Sequence, residues 1–378
     1  MSINGSPTKR VLVVGGSIAG LTAALELLRQ GVQTTVYERR PNPKDGIVCG
    51  GGISLWALRR SGLVLPKGTV ASHIRSIRIH APDGHFWQGE SKGAMAYTLW
   101  RDKLEEKFAG EVKKLGGTIE YNREVKEQEF RKLAMEYDFI VGADGITGVT
   151  RRALNLPRPP PEDIHIGVQW LCALPKHPGD RIDLHLGRSV APLGYGWVFP
   201  VGRKMVRVGL GDPLSESANT TDLLGAFTKR IGATPLEPLR AKLIPTTKPM
   251  RNLAFGNILL VGDVGNFCDP FTGGGILGAV VSAKAAAKAI AEGNPKRYKR
   301  HVRWLTFQNT IRYRLKRAFI ELSDDELNEL VWSLEGVTTH PMRMNLNILR
   351  ALLAFALHKP RLMTRHKVLR RVLGLSRG

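Results

Sequence analysis

The sequence predicts an α/β (α+β) protein built from a Rossmann-like dinucleotide-binding domain, an antiparallel-sheet domain and a helical C-terminal region. Three observations carry this. Near the start, an apolar run, a glycine turn, a helical stretch and a second apolar run follow one another, as a βαβ unit requires. Residues 163–212 alternate apolar and polar side chains, the pattern of half-buried antiparallel strands. From Pro295 onward the periodicity is helical and the charge strongly basic. The expected boundaries make the first domain discontinuous (1–70, 95–158 and 250–294), with 71–94 and 159–249 forming the sheet domain and 295–378 the C-terminal region.

Taken in order, V-L-V-V predicts a buried strand, residues 18–30 a helix, and T-T-V-Y a second strand ending at Glu38. The turn between strand and helix reads G-G-S-I-A-G, with Gly15 and Gly20 at the first and last glycine positions of G-x-G-x-x-G, Gly16 between them, and Ser17 where the second glycine is usual. Ser17 and Ala19 are small enough for backbone to approach a ligand closely. Such a turn delivers a pyrophosphate to a helix N-terminus, where free N–H groups and the helix dipole favour negative charge. Glu38, followed by Arg39, is placed to accept hydrogen bonds from a ribose diol. This motif alone does not separate FAD from NAD.

C-G-G-G (49–52) follows, then a turn at Pro82-Asp83-Gly84 and a helix over 101–115. D-F-I-V-G-A-D-G (138–145) predicts a buried strand whose end presents Asp144 and Gly145. Prolines between 157 and 161 mark a linker, because consecutive prolines extend neither a helix nor a central strand. In P-L-G-Y-G-W-V-F-P (192–200) Tyr195, Trp197 and Phe199 occupy alternate positions, so in a strand the three rings share one face. Core packing and the wall of a pocket for a flat apolar ligand both satisfy that pattern. The stretch L-L-V-G-D-V-G-N-F-C-D-P-F-T-G-G-G-I (259–276) puts Asp263 at a strand's carboxyl end and three glycines before a helix. There Asp263 can hold a ribityl hydroxyl, and the N–H groups of Gly273, Gly274 and Gly275 can face the electron-rich edge of a flavin.

The chain has 378 residues, 43% of them hydrophobic, which suits folded domains with substantial cores. Its three cysteines (Cys49, Cys172, Cys268) are far apart and form no C-x-x-C pair, so neither a disulfide framework nor a metal site is expected. No apolar signal segment and no uncharged apolar run of about 18 residues is visible, so a cytoplasmic location without a spanning helix is expected. The formal net charge is +23. Residues 294–317 contain no acid, nor does any position after Glu335. Such an excess calls for a polyanionic neighbour. The leucine-rich, cationic stretch at 345–360 fits an interfacial helix, hence peripheral association with an anionic membrane surface; nucleic acid is the less economical partner.

Together the three glycine-bearing motifs resemble the FAD-dependent hydroxylase-type fold, over most of residues 9–295. Within it, C-G-G-G-I-S, P-L-G-Y-G-W-V-F-P and G-D-V-G-N-F-C-D-P-F-T-G-G-G-I resemble the geranylgeranyl reductase family, the second matching P-x-x-Y-x-W-x-F-P at every fixed position. Gly148 departs from the D-G-x-x-S pattern of many relatives. The resemblance implies FAD as cofactor, bound by Gly15, Gly16, Ser17, Ala19, Gly20, Glu38, Arg39, Gly51, Gly52, Arg101, Asp144, Gly145, Asp263, Gly273, Gly274, Gly275 and Ile276. It implies a prenyl cavity walled by Tyr195, Trp197, Phe199 and Pro270, and it makes Cys49 and Tyr195 the candidates for catalysis. The expected activity is saturation of C=C bonds in geranylgeranyl chains on a membrane lipid or a diphosphate, with hydride from reduced flavin N5. NAD(P)H, ferredoxin or another reduced carrier, the last two as electron-donor proteins, would reload the flavin. The competing reading is an aromatic hydroxylase or halogenase of the same fold. Halogenases carry G-W-x-W-x-I-P where this chain has G-Y-G-W-V-F-P, which favours the reductase.

Overall fold

A computed structural model describes residues 9–336 of the protein. β1 (Arg10–Val14), α1 (Ile18–Arg29) and β2 (Gln33–Tyr37) form the βαβ unit, with β1 and β2 paired in parallel. The chain then runs through β3 (Gly52–Ser54), α2 (Leu55–Ser61), β4 (Val70–Ile74), β5 (Ser76–His80), β6 (Phe86–Glu90) and β7 (Ala96–Leu99). It returns with α3 (Arg101–Lys114), β8 (Thr118–Glu120), α4 (Glu127–Glu136), β9 (Phe139–Gly142) and α5 (Val149–Ala153). A second excursion supplies β10 (Ile164–Ala173), β11 (Arg181–His185), β12 (Tyr195–Val201), β13 (Met205–Pro213), α6 (Thr220–Arg230), β14 (Thr234–Pro235) and β15 (Arg240–Pro245). The last described part holds β16 (Ala254–Phe255), β17 (Ile258–Leu260), α7 (Ile276–Ala291), α8 (Tyr298–His301), α9 (Arg303–Phe319) and α10 (Asp324–Trp332). The basic stretch at 345–360 lies outside the described residues.

One sheet has the order β16-β17-β9-β1-β2-β8, parallel except at its β16 edge. β1 is apolar on both faces because helices cover both: Val11 and Val13 pack with α1, α3 and α7, while Leu12 and Val14 pack with Phe130, Leu133 and Val149 on the other side. The large sheet runs β14-β10-β13-β12-β11-β5-β6, with β15 also on β10. α6 covers one face of it through Leu224 and Phe227, leaving the opposite face for the site. The antiparallel expectation is met at β10, β12, β13 and β15. β5 and β11 instead run parallel, since β5 comes from the first excursion and is not joined to β11 by a hairpin. β4 joins β3 and β7 in a small third sheet.

Candidate active site

The glycine turn after β1 is shaped by contacts too close for side chains. Gly15 has φ +104°, and a Cβ there would lie 2.5 Å from Ala143 O; a Cβ on Gly20 would lie 1.8 Å from Gly15 O. The turn therefore brings backbone, not side chains, to the start of α1. Glu38, buried at the end of β2, accepts hydrogen bonds from Gly16 N at 2.5 Å and Arg40 N at 2.8 Å. Glu105 on α3 accepts from Ile18 N at 3.2 Å and is paired with both Arg40 and Arg101. Burial opposes the charge of Arg101, yet the adjacent Glu105 carboxylate, with a smaller contribution from Cys49, holds its pKa above the ordinary value. Asp144 accepts from Thr150 N at 2.8 Å through Oδ2, while its buried Oδ1 has no partner among the described residues. Burial pushes its pKa up, only partly offset by the bonds from Thr150.

Opposite lies the aromatic strand. Phe199 packs on the C-G-G-G loop so closely that a Cβ on Gly52 would meet its ring at 2.9 Å, and one on Gly50 at 3.1 Å. Trp197 lies over β13, where Gly209 and Gly211 leave the space its indole fills; a Cβ on Gly209 would sit 2.4 Å from Cζ2. Tyr195 donates its hydroxyl to Thr272 O at 2.6 Å, inside the loop that precedes α7. Phe199 and Tyr195 thus tie the large sheet to two glycine-rich loops, while Trp197 packs within the sheet on β13. The Cys49 loop has further anchors: Gln169 Nε2 donates to Cys49 O at 3.2 Å, and Arg207 Nη1 donates to Gly50 O at 3.1 Å. Cys49 Sγ accepts from Gly51 N at 3.3 Å and Arg101 Nη1 at 3.5 Å.

These elements line one continuous cavity of about 940 Å³. It runs from Glu38 and Arg39, past Asp144 and the Gly273–Gly275 turn, to the inner face of the large sheet and α10. Lys242 reaches in from β15 to pair with Asp263 at 3.1 Å, and that carboxylate raises the lysine's pKa against the effect of burial. α9 presents an unusual buried polar face. Arg312 pairs with Asp269, and Lys316 with Asp163 at 2.8 Å, bracing the loop before α7 and the entry to β10.

A family model described as the geranylgeranyl reductase catalytic domain matches residues 163–237, and one described as an NAD(P)-binding Rossmann-like domain matches 13–44. The chain is 28% identical to the digeranylgeranylglycerophospholipid reductase of Methanothrix thermoacetophila over 375 residues, covering 90% of this chain and 95% of that one. It is 28% identical to the Thermoplasma acidophilum enzyme of the same name over 363 residues, 86% and 91% of the two chains. Over these spans the chain is similar to the geranylgeranyl reductase family.

Among solved structures, a geranylgeranyl bacteriochlorophyll reductase-like protein from Thermoplasma acidophilum superposes with a TM-score of 0.83 at 24% identity, covering 98% of this chain and 99% of that one. A flavin-dependent brominase reaches 0.65 at 13% identity, over 91% and 94% of the chains. Both likenesses concern the fold.

The residues present fit an FAD. The turn at Gly15 has no room for side chains, the buried Asp144 Oδ1 lacks a partner, and the groove continues without a break to Asp263 and Gly273–Gly275. Of the site residues read from sequence, all line the cavity except Gly16 and Gly20, which lie behind it and set the backbone spacing. Trp197 Nε1 is buried beside Gly50 without a partner among the described residues. Sequence reasoning missed Glu105, Arg40, Gln169, Lys242, Arg207 and the walls from α9 and α10. Glu105 had a faint signal, four residues after Arg101 on one helix face. Lys242 and Gln169 had none, because each acts across strands from different stretches of chain.

Proposed function

We propose that this protein is an FAD-dependent reductase that saturates the C=C bonds of geranylgeranyl chains carried on a membrane lipid or a diphosphate. The single observation that carries this reading is the apolar arm of the cavity, walled by the inner face of the large sheet and by α10 and opening directly on the cofactor groove. Prenyl chains are bound by burying CH2 and CH3 groups, each worth ~0.8 kcal/mol. Bound reduced FAD supplies the hydride equivalent.

An isolated alkene accepts hydride only as its other carbon gains a proton, so the cavity must hold a proton near the reacting bond. Cys49 is the side chain we assign to hold it, at Sγ, since its loop is fixed by Gln169, Arg207 and Arg101 at the junction of groove and apolar arm. Tyr195 is assigned a positioning role, because its hydroxyl is engaged by Thr272 O and burial pushes its pKa up. The apolar lining keeps water from the site, protecting the reduced cofactor from side reactions. The donor that reloads the flavin is taken to be a reduced nicotinamide, ferredoxin or another carrier. Docking on an anionic lipid surface is supported by the outer side of α8 and α9, where Arg300, Arg303 and Arg314 are exposed together with Phe307 and Ile311. Among the described residues no helix is long and apolar enough to cross a membrane.

The test is anaerobic. The holoprotein is reduced with dithionite and mixed with geranylgeranyl diphosphate or a geranylgeranylated glycerophospholipid, and flavin absorbance and product mass are followed together. Flavin reoxidation with two hydrogens gained per bond is expected. A flavin that stays reduced with prenyl substrates, yet turns over with oxygen and an aromatic compound, would replace this reading by a hydroxylase. With the lipid presented in anionic vesicles the rate should fall as salt rises; a rate indifferent to salt removes the electrostatic part of the docking.

A further inference from the structure

The cavity changes character along its length. On the cofactor side it is lined by charged groups such as Glu38, Arg101, Asp144 and Lys242, whereas β5, β6, β11 and α10 contribute no charged side chain to it. This follows from strand alternation: Ile77, Ile79, Ile182 and Leu184 face inward, while Arg78, His80, Asp183 and His185 lie on the opposite face, where His80 stacks on His185 at 4.1 Å. The apolar arm ends at Trp87 on β6 and Val331 on α10. Both residues also line a second, smaller pocket of about 390 Å³ on the far side, so their side chains are the partition between the two spaces.

The partition is fixed in place. Asp83 N donates to Asn328 Oδ1 at 3.0 Å, Arg188 N donates to Asp324 Oδ1 at 3.1 Å, and Trp332 stacks on His85 at 4.1 Å, so α10 is bound to the β5–β6 turn and to the segment after β11. With the charged side of the cavity taken up by the cofactor, the apolar chain of a bound prenyl substrate is accommodated in the uncharged arm, and its terminal methyls advance toward the uncharged end. We propose that Trp87, backed by Val331, is the floor against which the end of the prenyl chain stops, and that it sets the length of chain the enzyme accepts. This rests on the prenyl reading of the cavity.

Removing the indole would join the two spaces and make room beyond the present floor. The test compares geranylgeranyl diphosphate with the prenyl diphosphate one isoprene unit longer, in the wild-type holoenzyme and in Trp87→Ala, Trp87→Phe and Val331→Ala. Binding to the oxidised holoenzyme is measured by calorimetry and turnover by anaerobic flavin reoxidation. Wild type and Trp87→Phe should prefer the shorter chain by at least ~10-fold, since pockets discriminate by about that much or more per missing or added apolar group. Trp87→Ala should bring the two chains within about threefold of each other, and Val331→Ala, the milder change, should move the preference in the same direction. The inference is overturned if Trp87→Ala and Val331→Ala retain their flavin but keep the wild-type preference. It is also overturned if Trp87→Ala tightens binding of both chains equally, which would make this end an entrance. Length-dependent binding that responds to Trp87 without any turnover would uphold the floor and sink the reductase reading instead.

Discussion

Replacing Tyr195 by Phe separates positioning from proton transfer. The substitution removes one bond, from Tyr195 Oη to Thr272 O at 2.6 Å, and keeps the ring that packs edge-on to Trp197 with centroids 6.0 Å apart. The loop that loses this bond has braces of its own. Asp269 Oδ1 accepts from Phe271 N at 3.0 Å, Asp269 O accepts from Gly273 N at 2.9 Å, and Asp269 Oδ2 pairs with Arg312. The loss is then that of a single neutral hydrogen bond, ~0.5–1.5 kcal/mol. If all of it is felt when the loop must hold the cofactor edge in register, the rate falls roughly 2- to 15-fold, taking ~1.4 kcal/mol per factor of ten. Burial, aided by Asp269 and Cys268, pushes the phenol's pKa up, so the hydroxyl releases a proton less readily than an ordinary tyrosine. The assay is single-turnover flavin reoxidation under anaerobic conditions, in H2O and D2O and across pH. The positioning role predicts a modest drop with unchanged pH profile and solvent isotope effect. A loss of more than about 100-fold, with an altered isotope effect, would refute it and make Tyr195 the proton donor.

Two further outcomes follow from the sheet. Gly209→Ala should destabilise the protein by ~1–3 kcal/mol and weaken substrate binding, because the new Cβ meets Trp197 Cζ2 at 2.4 Å and Val168 O at 2.6 Å; Gly211→Ala, whose Cβ would lie 3.6 Å from the same indole, should be nearly neutral. Denaturant unfolding of the pair decides this, and equal effects would show that Trp197 does not need the glycine. Asp212, buried at the end of β13, accepts from Leu193 N at 2.9 Å, and burial raises its pKa from 3.8 to about 7. A raised carboxyl pKa means the folded state holds the proton longer than the unfolded one, so stability is lost as pH rises from about 4 to about 7. Asp212→Asn carries no such titration, so its stability relative to wild type should rise over that window, by at most ~4 kcal/mol at ~1.4 kcal/mol per pH unit. A pH-independent difference between the two proteins would show that Asp212 does not titrate there.

Much of the site could be read from the chain because its signals are local. A glycine turn between strand and helix, an acid at the end of β2, and aromatic residues at every second position of β12 are set by backbone sterics and by the two-residue period of a strand. These fix what each stretch can do before it meets any other, and every residue they named except Gly16 and Gly20 lines the cavity. Sequence by itself left open what the three rings face. The fold answers that they do two things at once: they wall the cavity, and through Phe199 on Gly50 and Gly52 and Tyr195 on Thr272 they fasten it to the cofactor loops.

The rest depended on partners distant in sequence. Gln169 meets Cys49 across 120 residues, Lys316 meets Asp163 across 153, and Asp83 meets Asn328 across 245. No periodicity encodes such pairs, since they arise only when two excursions of the chain fold onto one sheet and α9 and α10 close over it. The sequence determined the cofactor cradle and the apolar face of the sheet, because both are properties of single strands and turns. Tertiary packing alone decided where the cavity ends, because its floor is made by Trp87 and Val331, which only the docking of α10 on the β5–β6 turn brings together.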